Sequence, residues 1–444
     1  MKWKQSLALV LTVGMLLCAC GGQSSSQTGE GASSQSVPQS VSGTTQADSQ
    51  AASSAPTADR VEATPLTVQK QKTGLYQWDD IDLLAQTEYS RITLWWESAA
   101  GHPQLAQTLE QTAAMAKRGM EDEYDNLCAF AAEELATTGD GFETWVSTLD
   151  TQLRRADSVA VSVLSDSYAD YGWIEDYRGM HGTAYDTQTG RQLALTDVVK
   201  EVNQDLAEAV ADELNRHQWA GDYDFTAGVE EYFANTPYDG ISWTLDYNGV
   251  TFYFADGDLT EPGEGRQTAT VAFAQYPELF REKYTAVPDA YMVELPLDQS
   301  YFTDLDDDGT LDELQITGYY SSDVGSYTQY GVYTDGQGSF RYEECYADGF
   351  EPYYVKTADD HPYLYLFCAL EEGPFPTASL IVMDLSGGMV TPVDTMNAGP
   401  GYIPDGIYRL PTDPACFYLD DFDGMAQDSM PYCVGADGMP QPLQ

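Results

Sequence analysis

From residue 21 to about residue 65 the chain offers nothing from which to build a core. The run GGQSSSQTGEGASSQSVPQSVSGTTQADSQAASSAPTAD is dominated by Ser, Gln, Gly, Thr and Ala and holds no aromatic side chain. Such a segment buries too little apolar surface to offset the entropy of ordering it, so residues 21–65 are expected to be a disordered tether. As a flexible coil the tether would reach roughly 35–40 Å. Every folded element must therefore come from the remaining ~380 residues, a length that suggests two or three domains. There Leu, Val and Ile recur in patterned runs, and Tyr and Trp become frequent.

Ahead of the tether, Lys2 and Lys4 precede the apolar run SLALVLTVGMLL, which is shorter than a comfortable membrane span. It ends in Leu17-Cys18-Ala19-Cys20-Gly21-Gly22. A Leu at −3, a small residue at −1 and a cysteine at +1 resemble a bacterial lipobox, with Cys20 as the lipidated residue. Cys18 fits poorly, because Leu17 would then stand at −1. Residues 1–20 are thus expected to be a lipoprotein signal peptide. The mature chain is expected on the outer face of the bacterial cytoplasmic membrane, held there by its lipid. Cys128, Cys345, Cys368, Cys416 and Cys433 remain; the last four allow three pairings or free thiols.

Acids outnumber bases by 71 to 20, for a formal net charge of −51. Phosphate binding needs clusters of Lys and Arg, so nucleic acid is excluded as a partner. Cationic ligands and divalent metals are favoured by long-range attraction.

Residues 66–286 mix helical and strand patterns. EYSRITLWWE (88–97) reads as a strand. Leu105, Leu109, Ala113, Ala116, Met120, Tyr124, Leu127, Ala131 and Leu135 then recur at helical spacing, and Gly139-Asp140-Gly141 is expected to end that helix. SVAVSVLSDSYAD (158–170) reads as a strand, followed by a turn at Thr189-Gly190. Thr196 is expected to cap a helix over 197–217, with Val199, Val202, Leu206, Val210 and Leu214 on one face. WTLDYNGVTFYFA (243–255) predicts a hairpin turning at Asn248-Gly249, and ATVAFA a further strand. The expectation is an α+β region with helices packed on an antiparallel sheet.

The ordered set Arg178-Gly-Met-His-Gly182, YDTQTGRQLALTDVV, a helix, and DYNGVTFYFADGDLTEPGEGRQTATVAFAQYPEL resembles a pair of bacterial extracellular domains of unknown function. The pair occurs in RsiV-type anti-sigma factors and beside the catalytic domain of PdaC-type peptidoglycan deacetylases. The family writes Gly-Gly-Ala-His-Gly where this chain has Arg178 and Met180. Its Phe-Tyr-Phe strand matches Phe252-Tyr253-Phe254. The resemblance implies an extracellular receptor for a protein such as lysozyme. A deacetylase metal site needs an Asp with a paired His-x-x-x-His, whereas His102, His181, His217 and His361 all stand apart. His181, flanked by a glycine before a turn, is expected to set the loop rather than to catalyse.

Residues 290–444 alternate short β-like runs (MVELPL, ELQITGYY, PYLYLFCAL, ASLIVMDL, CFYL) with Gly, Asp and Asn turns, predicting a mainly antiparallel β domain. Its sharpest feature is DLDDDGTLDEL. Counting Asp304 as position 1 places Asp306 at 3, Asp308 at 5, Thr310 at 7 and Asp312 at 9, with Gly309 for the bend. Calcium favours such a spread of hard oxygens. An EF-hand wants Glu at position 12, where Gln315 stands, and it wants helical flanks. The pattern instead resembles the calcium loops of FG-GAP repeats, so a structural calcium in a hairpin loop is expected. The chain lacks Gly-x-Ser-x-Gly, His-Glu-x-x-His, P-loop and dinucleotide motifs. A non-catalytic envelope protein binding a cationic protein or a wall component is the expected function. A calcium-stabilised accessory lipoprotein in cell-wall processing is the alternative.

Overall fold

The computed structural model describes residues 63–79, 82–138, 142–171, 177–217, 223–261, 263, 265–335, 339–370, 377–400, 402–403, 406–421 and 429–443. Cys20, the expected signal segment, residues 21–62 of the expected tether and the expected helix stop at Gly139-Asp140-Gly141 lie outside these residues; the last three positions of the expected tether are described, with Ala63 buried and Pro65 bridged to Asp157.

The N-terminal strands are β1 (Val68–Asp79), β2 (Asp82–Leu94), β3 (Trp145–Ala156), β4 (Ala160–Asp170) and β5 (Tyr177–Asp186). They pair in chain order. β1–β2, β3–β4 and β4–β5 are antiparallel, but β2 and β3 run parallel, Ala85 lying opposite Trp145. This corrects the expected antiparallel sheet to a mixed one. The reason is the connection: helix α1 (Pro103–Thr138) lies between them, and a parallel pair needs such a crossover. Along the predicted stripe of α1, Leu105, Leu109, Ala113, Leu127 and Ala131 are buried, while Ala116, Met120, Tyr124 and Leu135 are half-buried. Leu105 and Leu109 pack with Val68, Ile92 and Leu153, while Leu127 and Ala131 pack with Leu84 and Trp145. β2 starts earlier than expected and stops at Leu94; Trp96 and Glu97 already belong to the short helix Trp96–Gly101.

The second helix is corrected too. Leu195–Val198 makes a single helical turn, and α2 begins only at Gln204 and runs to Arg216. Asn203, not Thr196, caps α2, its Oδ1 accepting from the Leu206 amide at 3.3 Å. Val199 is instead extended, bridged to Phe280, while Lys200 N donates to Leu279 O at 2.8 Å. Leu206, Val210 and Leu214 face the short sheet β6 (Ser242–Leu245), β7 (Gly249–Phe254) and β8 (Gln267–Ala272), meeting Val250, Phe252 and Val271. The predicted hairpin joins β6 to β7 but turns one residue early, at Tyr247-Asn248: Asp246 N donates to Gly249 O at 2.9 Å, and Gly249 already belongs to β7. A helix with no clear signature in the sequence, α3 (Thr226–Asn235), buries Val229 in the same core.

The remaining strands are β9 (Tyr291–Glu294), β10 (Ser300–Thr303), β11 (Asp312–Ser321), β12 (Ser326–Thr334), β13 (Ser339–Ala347), β14 (Gly349–Lys356), β15 (Pro362–Leu370), β16 (Thr377–Asp384), β17 (Thr391–Met396), β18 (Ala398–Pro400), β19 (Tyr402–Ile403), β20 (Ile407–Leu410), β21 (Phe417–Asp421), β22 (Ser429–Val434) and β23 (Pro440–Pro442). Their pairings with one another are antiparallel. β10–β13 form one sheet and β9 with β14–β17 another, and both supply one core containing Tyr291, Tyr301, Leu314, Val332, Tyr354 and Leu366. Met292, Leu380 and Val382 meet Ala398 and Leu419 of the sheet β18–β21–β22–β23 in a separate core. The chain then returns to its start. β20 pairs with β1, Val68 opposite Leu410, so the C-terminal strands β19 and β20 extend the N-terminal sheet to seven strands. Cys128, Cys345, Cys368, Cys416 and Cys433 are free thiols.

Candidate functional site

The acid loop is a hairpin connection. Thr303 pairs with Asp312 in the β10–β11 ladder, leaving 304–311 as the loop. Two leucines pin it: Leu305 enters the core shared by the two C-terminal sheets, and Leu311 packs with Phe302 and Ala272. Gly309 adopts φ +87°, which a side chain would resist, and Asp307 takes φ +59°. Backbone amides fold onto the acids. Leu305 N donates to Asp312 at 2.8 Å, Gly309 N to Asp304 at 3.0 Å and Asp308 N to Asp306 at 3.2 Å.

Of the five sequence-predicted ligands, Asp304, Asp306 and Asp312 converge, each with a carboxylate oxygen within 4.8 Å of the others. With calcium–oxygen distances of roughly 2.3–2.6 Å, one ion can touch all three. Asp308 points elsewhere, its Oδ1 accepting from the Thr310 amide at 2.7 Å and from the Thr310 hydroxyl. Asp304 Oδ1 is buried and has no hydrogen-bond partner. Burial, reinforced by Asp306, Asp335 and Asp304, pushes the Asp312 carboxyl up to about 6 despite the Leu305 amide. Burial likewise raises Asp304. The donor set is all hard oxygen with one buried oxygen unmet, which fits a divalent cation such as calcium.

The glycine-flanked histidine lies in β5. Gly182 N donates to Ser242 Oγ at 3.3 Å, and Ser242 Oγ donates back to Met180 O at 2.9 Å. Burial lowers the His181 pKa. A serine, a histidine and an aspartate do meet elsewhere. Ser386 Oγ lies 2.8 Å and Asp384 Oδ2 3.0 Å from His361, but both contact the same ring nitrogen, Nε2. A proton relay from hydroxyl through imidazole to carboxylate uses both nitrogens, so this trio braces a turn.

Two clefts of about 460 and 440 Å³ lie where the N-terminal sheets meet the C-terminal strands. Both are lined by Arg266 and Gln299, which converge on Asp166: Arg266 reaches it at 3.0 Å and Gln299 at 2.8 Å. In the first cleft His217, at the end of α2, packs against Phe302 with the rings tilted by 52° and meets Asp335 at 2.9 Å. Asp335 also accepts from Glu313 N at 2.6 Å, which ties α2 to the strand leaving the acid loop. The second cleft is lined by Lys70, Asp150, Gln152 and Glu294, from β1, β3 and β9. Sequence reasoning missed this group. Its members are scattered along the chain, and the one signal was a lysine at a position of β1 where alternation calls for an inward side chain.

No protein-family model matches this sequence, and no curated protein matches it. Part of the chain is similar to two solved structures, both of DUF3298 family proteins. One, from Pseudomonas aeruginosa PAO1, is 15% identical and covers 50% of this chain and 97% of its own, with a TM-score of 0.34. The other, from Bacteroides fragilis NCTC 9343, is 10% identical and covers 49% and 96%, with a TM-score of 0.35.

Proposed function

We propose that this chain is a non-catalytic binding protein of the bacterial envelope, lipid-anchored through Cys20, whose folded part takes a cationic protein such as lysozyme or a component of the wall. The observation that carries this reading is where the cations go. Lys70, Arg154, Arg155, Arg191, Arg216, Arg266 and Lys283 are each held in an ion pair within the fold. Arg154 and Arg155 are buried with their aspartates, Asp246 at 2.6 Å and Asp157 at 2.7 Å. With 20 basic residues against 71 acids, such pairing leaves the great excess of carboxylates to set the outward field, and that field draws a basic partner. The ordered motifs shared with the RsiV-type domain pair support the same role. Titrating the chain with lysozyme at low salt and at ~0.15 M tests it, because screening weakens bulk attraction at the higher salt. Specific binding persists there; binding confined to low salt overturns the proposal. Incubation with wall polymer is expected to give no turnover.

A second reading, a calcium-stabilised accessory lipoprotein in cell-wall processing, is favoured by the converging acids and the unpartnered oxygen of Asp304. In it, calcium at Asp304, Asp306 and Asp312, with the Thr310 carbonyl as a further donor, is a structural clip. A melting temperature indifferent to calcium and chelator removes this reading.

A further inference from the structure

We propose that the cleft between β1, β3 and β9 binds one monovalent organic cation, an ammonium or guanidinium group of its ligand, against Glu294 and Gln152. This rests on the reading of the chain as a binder of cationic partners and gives that reading a place. The argument begins with a count of charge. Four carboxylates line the cleft, Asp150, Asp166, Glu294 and Glu351, against three cations, Lys70, Lys72 and Arg266. Arg266 is taken by Asp166 at 3.0 Å and Lys72 by Glu351 at 2.5 Å. Lys70 is shared, 2.9 Å from Asp150 and 2.8 Å from Glu294. The cleft is one cation short.

The shortfall has an address. Glu294 is 8% exposed and Gln152 5%, and each keeps an oxygen, Oε2 and Oε1 respectively, without a hydrogen-bond partner. Tyr353, opposite Glu294 in the β9–β14 ladder, has an unpartnered hydroxyl as well. The unmet carboxylate and amide oxygens accept only, so the missing group must bring N–H or O–H donors and one positive charge. Lys70 and Lys72 beside the site oppose a divalent metal, and an anion would deepen the imbalance. A neutral polyol would satisfy the oxygens and leave the charge unmet. Burial, with the nearby charge of Asp150, holds the Glu294 carboxyl above its ordinary range in spite of Lys70, as an undercompensated acid requires. The unmet oxygens are closed to bulk water. The head group enters beside Asp150, whose side chain is 48% exposed and is held at the rim by Lys70 at 2.9 Å and by the Ser90 hydroxyl at 2.8 Å.

The test titrates the full chain with Nα-acetyl-lysine amide, Nα-acetyl-arginine amide and, as neutral control, Nα-acetyl-norleucine amide, read by calorimetry and by shifts of side-chain NMR signals. Saturable one-to-one binding is expected for one or both cations and none for the control. Glu294→Gln is expected to weaken binding about tenfold or more, since charge-assisted hydrogen bonds to buried acids are the strong ones. This variant leaves Lys70 paired with Asp150, and a melting scan checks that it is folded. Lys72→Met, at a side chain 45% exposed, removes a competing charge and is expected to tighten binding. No saturation by roughly 50 mM, where even a millimolar site would fill, overturns the proposal. So does binding that Glu294→Gln leaves unchanged. A basic protein that still binds while the small cations do not sinks the cleft but not the broader reading. Small cations that bind where basic proteins fail do the reverse.

Discussion

A methyl group on Gly182 would lie 1.8 Å from the carbonyl oxygen of Trp243, so β5 and β6 can cross only while that position is bare. Gly182→Ala is therefore expected to lose about 1–3 kcal/mol or more, measured by denaturant unfolding, because backbone on both sides must give way. The Gly-Met-His-Gly run was visible in the sequence as a motif, while its reason, a crossing of two sheets, was not. Asp312 makes a second case. Its carboxyl is raised to about 6 in the fold against about 4 in an unfolded chain. Between those values the folded state holds a proton that the unfolded chain has released, so calcium-free stability falls as pH rises from about 4 to 6. A calcium ion bound as proposed would displace that proton. Stabilisation by calcium is thus expected to be weak near about pH 5 and full by about pH 7.5, a window set by the same two pKa values. Asp306→Ala should abolish the calcium-dependent rise in melting temperature at either pH. The convergence of Asp304, Asp306 and Asp312 was legible because a hairpin loop gathers its acids from one short stretch, although Asp308, counted with them, turns to Thr310 instead. Lys70 and Glu294, 224 positions apart, leave no such trace.

Among elements, the helix expected from Thr196 shows how periodicity misleads. Val199, Val202 and Leu206 keep helical spacing, yet the backbone at Val199 and Lys200 pairs with 279–280 instead. Buried extended pairing outweighs local propensity here. The break places the cap at Asn203. Asn203→Ala is expected to destabilise by about 1 kcal/mol, while Thr196→Ala changes little; comparing the two by chemical denaturation separates one helix from two. Strands with apolar alternation, such as β4, β7, β15 and β16, were readable. β3 was not, because WVSTLDTQLRRA carries two arginines just before its last residue, a sequence that reads as surface. Both are buried, Arg154 against Asp246 and Arg155 against Asp157 with the carbonyls of Tyr284 and Ala286; apart from Asp157, which follows β3 directly, these partners come from distant parts of the chain. The parallel β2–β3 pair follows from the 36 residues of α1, a length that fits a crossover better than a hairpin.

Over the whole molecule, the α+β beginning and the antiparallel end were both legible from composition and turn spacing, whereas their joining was not. Four residues, Val68–Gln71, pair with Leu410–Ile407, and no local pattern announces a contact between residues so far apart in sequence. A chain cut between the two regions is expected to lose the outer edge of its first sheet, visible as early hydrogen exchange in β1. The same pairing has a mechanical side. Anchoring through Cys20, as proposed, makes β1 the first strand through which any tug on a captured partner reaches the membrane. β1 is gripped by β2 along its length and by β20 over its first four residues, and ladder hydrogen bonds lie across the strand direction. A pull along the strand therefore shears these bonds together instead of unzipping them singly, so the fold would resist force at the end where an anchored protein receives it.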